Sequence, residues 1–233
     1  MSTGPDETTL PGHLGPGTRA RVRRLAERGL YDEATVFGIL DEGFICHLGA
    51  VGAEGVVVVP TIYGRAGRTL YLHGAPGNHA LRSAIACGQA CVTVTLVDGL
   101  VLARSAFHHS VNYRSVMAFG PVSEVGGTEE KRQALAVLVD HLLPGRGADA
   151  RPPSEEELRA TRVVRFDIEE ASAKVRTGGP NEEPADLALG HIWAGQLPLR
   201  LAAGPPVVDT TGAVLAAVPG YVSDYGRAGG PPC

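Results

Sequence analysis

The sequence predicts a mostly β fold with added helices, a small and mainly antiparallel barrel, on three observations. β-branched and aromatic runs recur between Gly-containing turns. Helical patterns interrupt them without regular β-α alternation, which argues against a doubly wound parallel sheet. No Gly-rich dinucleotide fingerprint follows the first strand, so a Rossmann reading falls away. A small antiparallel barrel satisfies all three.

Residues 1–18, rich in Gly, Pro and Thr, read as a flexible start without the apolar run of a secretory signal. Thr18 is expected to cap a basic helix reaching Arg28. Asp32 caps a second, in which Val36, Ile39 and Leu40 share one face. Strand texture then covers residues 44–51, 56–63 and 69–72. The stretch from Val56 to Pro60 is apolar on both faces and is expected to be a central strand, ended or bulged at Pro60, which cannot donate to a ladder.

Residues 78–88 read as a short helix directly after a strand, with His79 and Arg82 on one side. Residues 91–97 alternate as a strand, Asp98-Gly99 signals a turn, and 114–125 contain another strand. An amphipathic helix over 128–143 carries Leu135, Leu138, Val139 and Leu142 on one stripe and ends at Pro144-Gly145. A loop rich in Arg, Pro and Glu leads to strand texture over 161–175, with Val164, Phe166 and Ile168 facing one way. Residues 178–184 form a polar linker. An apolar segment over 187–201 carries the single tryptophan, Trp193, and the last ten residues read as disordered. The domain plan is a flexible 1–18, a barrel domain over 19–201, and an extended tail over 202–233.

A chain of 233 residues suits one large β domain. With 21 Lys and Arg against 25 Asp and Glu, the net charge of −4 gives no general attraction to nucleic acid, so an anionic ligand needs a local site. No run approaches the length of a membrane span, and the chain reads as cytoplasmic. Cys46, Cys87, Cys91 and Cys233 contain no CxxC pair and are too few for a disulfide scaffold.

Two stretches concentrate chemistry. The passage from Leu70-Tyr71-Leu72-His73-Gly74 to the helix at Asn78 supplies unpaired backbone N–H groups and a positive dipole end, which suit a phosphate monoester; His79 and Arg82 add donors, and a solvated helix face is the competing reading. Asn112, Tyr113, Arg114 and Ser115 either present side chains and amides to a planar heteroaromatic ligand or form a turn with an Asn cap. The adjacent His108 and His109 point in different directions, with no third ligand at zinc spacing, so no metal site is expected.

Five ordered motifs carry a resemblance. They are Pro60-Thr61-x-Tyr63-Gly64-Arg65, Leu70-Tyr71-x-His73-Gly74, Val92-x-Val94-Thr95-x-x-Asp98-Gly99 continuing to Ser105, Asn112-Tyr113-Arg114-Ser115-Val116, and Trp193-Ala194-Gly195-x-Leu197-Pro198-Leu199. Their order resembles the pyridoxamine-5′-phosphate-oxidase-related flavin-nucleotide-binding proteins and, more distantly, the nitroimidazole-resistance (Nim) proteins. The resemblance implies a six-stranded antiparallel split β-barrel with peripheral helices, working as a homodimer with one FMN in each of two interface clefts.

Carried onto this chain, it implies that Pro60, Thr61 and Tyr63 line the strand beside the isoalloxazine ring. His73 and Gly74 would sit near the reactive edge, with His73 and Tyr113 as the catalytic pair. Asn112, Tyr113, Arg114 and Ser115 would contact the ring or ribityl chain, the helix from Asn78 with His79 and Arg82 would hold the phosphate, and Trp193 would stack at the cleft mouth. Relatives carry Ser-Arg where this chain has Asn78-His79, which makes Arg82 the stronger phosphate candidate. The implied activity is FMN-dependent oxidoreduction of a small molecule, with NAD(P)H as a candidate donor. Two other readings stand beside it: a flavin- or haem-binding module without turnover, with His73, His108 or His109 as axial ligand, and a cofactor-free paralogue using the dimer cleft for another ligand. Lys174 and Arg176 read as exposed contacts for a partner subunit or an anionic substrate.

Overall fold

A computed structural model describes residues 12–15, 17–212 and 216–226 of the chain. The described strands are β1 (Gly29–Leu30), β2 (Ile45–Gly52), β3 (Gly55–Ile62), β4 (Gly64–Ala66), β5 (Thr69–Gly74), β6 (Gln89–Leu102), β7 (Ser110–Glu124), β8 (Arg162–Asp167), β9 (Glu170–Arg176) and β10 (Gly195–Pro198). They form one antiparallel sheet in the order β3-β2-β6-β7-β8-β5-β4, which curls without closing. β9 adds to β7, β1 to β9, and β10 to β6. β7 is the hub. Its first ten residues pair with β6 and β9, and its last three, Val122 to Glu124, pair with β8.

Alternation along the strands builds the core. Leu48 of β2, Val92 and Val94 of β6, Val116 and Ala118 of β7, Leu70 and Leu72 of β5, and Val164 and Phe166 of β8 all turn inward. Val36, Ile39 and Leu40 of α1 (Glu33–Glu42) and Leu81 of α2 (His79–Cys87) seal the interior. Each large apolar side chain so enclosed contributes about 1.5–3 kcal/mol. Asp32 caps α1 as expected, accepting from the Thr35 amide at 2.8 Å. Ile168 also faces inward as expected, and α3 (Thr128–Leu142) buries Ala134 and Leu138. Enclosure pushes the Cys46 thiol up to about 12, so it stays a neutral core thiol. Cys87 and Cys91 are also free, while Cys233 lies outside the described residues.

Several expectations are corrected. The helix expected over 18–28 is instead an irregular segment ending in a 3-10 turn at Ala26–Arg28. Arg19 explains this: it donates to Glu170 at 2.6 Å, Glu169 at 3.2 Å and Gln89 at 3.1 Å, tying the segment against the sheet. β3 is an edge strand paired only with β2, not a central one, and Val56 and Val58 are 76% and 59% exposed. Pro60 neither ends nor bulges it, because an edge strand leaves alternate N–H groups unpaired and the ladder continues to Ile62.

Asp98-Gly99 is no turn. β6 runs through it, with a register shift between Val97 and Gly99. A Cβ on Gly99 would lie 3.0 Å from the Leu197 carbonyl, so glycine is what lets β10 lie alongside. The loop after α3 contains α4 (Arg146–Asp149) and α5 (Glu155–Ala160). The second opens on a capping box of Ser154 and Glu157 whose S-x-x-E signal was present in the sequence. The strand texture over 161–175 divides into β8 and β9. The linker leads into α6 (Pro184–Leu187), and α7 (Gly220–Ser223) brings the tail back to α4, where Tyr221 donates to Asp149 at 2.5 Å. The flexibility expected of residues 1–11 and the disorder expected of 227–233 fall outside the described residues. Among those described, no helix is long and apolar enough to cross a membrane.

Candidate functional site

β7 separates residues that the sequence places in a row. Asn112 and Arg114 share the inward side of Val116 and Ala118, while Tyr113 and Ser115 point the other way. The run is strand and not a capped turn. Tyr113 lies opposite Arg176 of β9 and Ser115 opposite Lys174, whose carbonyl accepts from the Ser115 hydroxyl at 3.3 Å. Only the inward pair reaches the largest cavity, a cleft of about 1070 Å³. The end of α1 and the β6 bulge form its base. β10 and residues 199–203 wall it, with Tyr225 and Gly226 closing from the returning tail.

Arg114 holds two acids in this cleft. It donates to both oxygens of Asp98, at 2.9 and 2.7 Å, and to both oxygens of Glu42, one at 2.7 Å. These hydrogen bonds, Glu42 first, hold the guanidinium above its already high ordinary value. Four of five donors are committed, so Arg114 is a poor site for further anions. Asn112 is also engaged: its Oδ1 accepts from Arg176, and its Nδ2 donates to Gln196 at 2.8 Å and to the Gly178 carbonyl at 3.2 Å. Arg176 is therefore buried, not exposed as expected, because it reaches across to Asn112. Lys174 is half-buried and donates to the Arg24 carbonyl at 3.0 Å.

A second group forms a corner between β5 and α2. Asn78 caps the helix, its Oδ1 accepting from the Leu81 amide at 3.1 Å. Gly74 permits this packing, since a Cβ there would lie 3.0 Å from Asn78 Nδ2. His79 and Arg82 stand exposed on the first turns of α2, and neither is ion-paired among the described residues. His73 is half-buried, its Nδ1 enclosed without a hydrogen-bond partner. Burial pushes the imidazole pKa below its ordinary value, so the ring is neutral near pH 7.

The remaining expected residues scatter. Tyr63 is enclosed in the core, its hydroxyl donating to the Leu40 carbonyl at 2.5 Å and its ring 4.7 Å from that of His141. It supports the fold from within and has no face open to a ligand, which corrects its expected place beside the ring. Pro60 lies on the outward face of the β3 edge, opposite His47. Thr61 is half-buried, donating to the Ile62 carbonyl at 3.3 Å. Trp193 is 66% exposed just before β10. His108 lies 3.7 Å from Glu183 and His109 Nδ1 lies 3.0 Å from the Ser105 carbonyl. Among the described residues no group of three or more His, Cys, Asp or Glu could hold a metal.

The corner and the cleft are far apart in one chain. Tyr113 and Glu124 are separated by roughly 36 Å of strand path. Glu124 pairs with Val164, next to Val163, which faces His73. The two groups thus occupy opposite ends of β7. Sequence reasoning missed Glu42, Asp98 and Gln196 as cleft residues. A bulge reading of Asp98-Gly99 inside an alternating strand would have exposed the second of them.

A sequence model described as pyridoxamine 5′-phosphate oxidase matches residues 32–175. The flavocytochrome Anf3 from Azotobacter vinelandii is 35% identical with a TM-score of 0.82, the match covering 90% of this chain and 97% of that one. The FAD and heme binding protein from Mycobacterium smegmatis is 32% identical with a TM-score of 0.78, covering 84% and 96%. A candidate 5-nitroimidazole antibiotic resistance protein from Bacteroides thetaiotaomicron is 26% identical with a TM-score of 0.54, covering 63% and 86%. No curated protein matches the chain. The curled, open sheet is the split β-barrel of these relatives, here with more than the six strands expected.

Proposed function

The chain belongs to the pyridoxamine 5′-phosphate oxidase family, and from that premise we propose that it is a flavin-binding oxidoreductase working as a homodimer. The observation that carries the reading is the β5–α2 corner, where a neutral, half-buried His73 with a partnerless Nδ1 stands beside a helix N-terminus and an exposed Arg82. Buried polar atoms of proteins are nearly always satisfied, so this one fits a bound group.

A bound flavin supplies hydride or electron transfer at its ring system. In the proposal the cofactor is FMN, and Gly74, Asn78, His79 and Arg82 hold its phosphate at the start of α2, with Arg82 as the main cation. His73 holds or accepts a proton at Nδ1. Pro60, Thr61, Tyr113, Ser115 and Trp193 belong to its ring-side surface, and Asn112 and Arg114 keep β7, β10 and α1 in register behind it. Tyr113 is the second proposed catalytic residue. Since the corner and the Tyr113 end lie at opposite ends of β7, a cofactor touching both needs a second protomer. The outward face bearing Ile45, Val51, Val56 and Val58 is an apolar surface suited to one. The proposal is completed by a cytoplasmic setting, a small-molecule substrate with NAD(P)H as donor, no nucleic-acid or membrane partner, and one barrel unit over 19–201 with a tail over 202–233.

A second reading, haem binding in addition to flavin, is favoured by the two relatives named above for flavin and haem, whose matches cover more of this chain than the nitroimidazole-type match. The test is to extract and identify the cofactor of the purified dimer. Released FMN supports the reading as stated, FAD moves it to the longer nucleotide, and a Soret band adds haem. A colourless protein that takes up neither flavin nor haem overturns it in favour of a cofactor-free paralogue.

A further inference from the structure

Arg176, the last residue of β9, is 6% exposed, yet no carboxylate stands at ion-pairing distance from it among the described residues. Its guanidinium donates to Asn112 Oδ1, to the Gly178 carbonyl at 3.2 Å and to the Gly179 carbonyl at 3.1 Å. All three acceptors are neutral. A buried cation held only by neutral acceptors is costly unless a counter-charge is supplied. Burial and the nearby Arg28 push its proton affinity below the ordinary value. The two acids of the cleft cannot answer it, because Arg114 engages both.

The residues around Arg176 turn this end toward the cleft. Asn112, Thr177, Gly178 and Gln196 all line it. Arg176 draws on the Asn112 carbonyl oxygen, and the Asn112 amide in turn donates to Gln196 Oε1. That leaves Gln196 Nε2 as a donor with no acceptor among the described residues. The rest of the lining is mainly apolar, with Leu96, Pro198, Leu199, Leu201 and Tyr225. An apolar body with one acidic end matches both parts.

We infer that the Arg176–Asn112–Gln196 end of the cleft is an acid-group subsite, apart from the β5–α2 corner, that takes the phosphate or carboxylate of an amphipathic ligand lying in the cleft. The inference rests on the cofactor reading for the ligand's class. The acid group has two sources, the phosphate of a flavin nucleotide and the propionate of haem. No His, Cys or Met lines the cleft among the described residues, so phosphate is the source that the cleft favours.

The test compares Arg176→Met and Gln196→Leu with the wild-type dimer. FMN and FAD are titrated against riboflavin, and hemin against its dimethyl ester. Both variants are expected to lose about tenfold in affinity for the acid-bearing member of one pair, with the neutral member unchanged. The pair affected identifies the source. Unchanged discrimination in both pairs overturns the subsite, even if flavin still binds. If the wild type binds neither flavin nor haem, thermal shift with inorganic pyrophosphate decides. A rise in Tm kept by Arg82→Ala and lost by Arg176→Met sustains the subsite while the cofactor reading falls, and no rise overturns both. Gln196→Leu, on the exposed strand β10, keeps the test decisive should Arg176→Met fail to fold.

Discussion

The two ends of β7 treat charge in opposite ways. At the cleft end, Arg114 is bound by Glu42 and Asp98, and the polar groups are largely matched before any ligand arrives. At the corner end, Arg82 and His79 have no ionic partner among the described residues and His73 Nδ1 has no partner of any kind. Matched charge contributes to the fold, whereas unmatched charge beside a helix N-terminus is available to a ligand. The difference teaches that an arginine in a family-like motif need not be the one that binds.

The largest expected effect comes from removing the matched cation. Arg114→Ala leaves two partly buried carboxylates facing each other and should destabilise the protein by about 3 kcal/mol, read by denaturant unfolding near pH 7. The loss should shrink as pH falls and one carboxylate takes up a proton. A pH-independent loss would show that packing, not charge, is at stake. Arg82→Ala should do the reverse: unchanged unfolding but about tenfold weaker FMN binding by fluorescence titration, or about 1.4 kcal/mol. Equal losses of flavin affinity in Arg82→Ala and Arg114→Ala would break the comparison.

Smaller effects sharpen it. Tyr63→Phe leaves the Leu40 carbonyl without its donor and should cost about 1 kcal/mol without altering flavin affinity. A change in affinity would return Tyr63 to the ligand site. His73 gives the smallest effect, and its sign is fixed. Because its folded pKa lies below the ordinary 6.5, the neutral ring is favoured in the fold. Its contribution is fully present above 6.5 and is lost as pH falls from there through the folded value. His73→Gln should flatten that part of the pH–stability curve, measured by thermal unfolding between mildly acidic and neutral pH.

Much of the fold was legible locally. Asp32 and Asn78 cap their helices where the sequence places them, and Val164, Phe166 and Ile168 turn inward together. What failed depended on distant partners. Val56 and Val58 read as core because hydrophobicity reports burial and not whose surface does the burying. Asp98-Gly99 read as a turn because the dipeptide looks the same in a turn and in a bulge; only Arg114 and β10 tell them apart. The site followed the same rule. The corner of Gly74, Asn78, His79 and Arg82 is contiguous in sequence and was seen, while the cleft joins Glu42, Asp98, Asn112 and Gln196 from four separate segments.

The most direct measurement is the absorption spectrum of the purified protein after incubation with FMN and removal of unbound flavin. The account predicts retained flavin bands at one flavin per protomer in a dimer. A colourless wild-type protein, or flavin retained equally by Arg82→Ala, would contradict it.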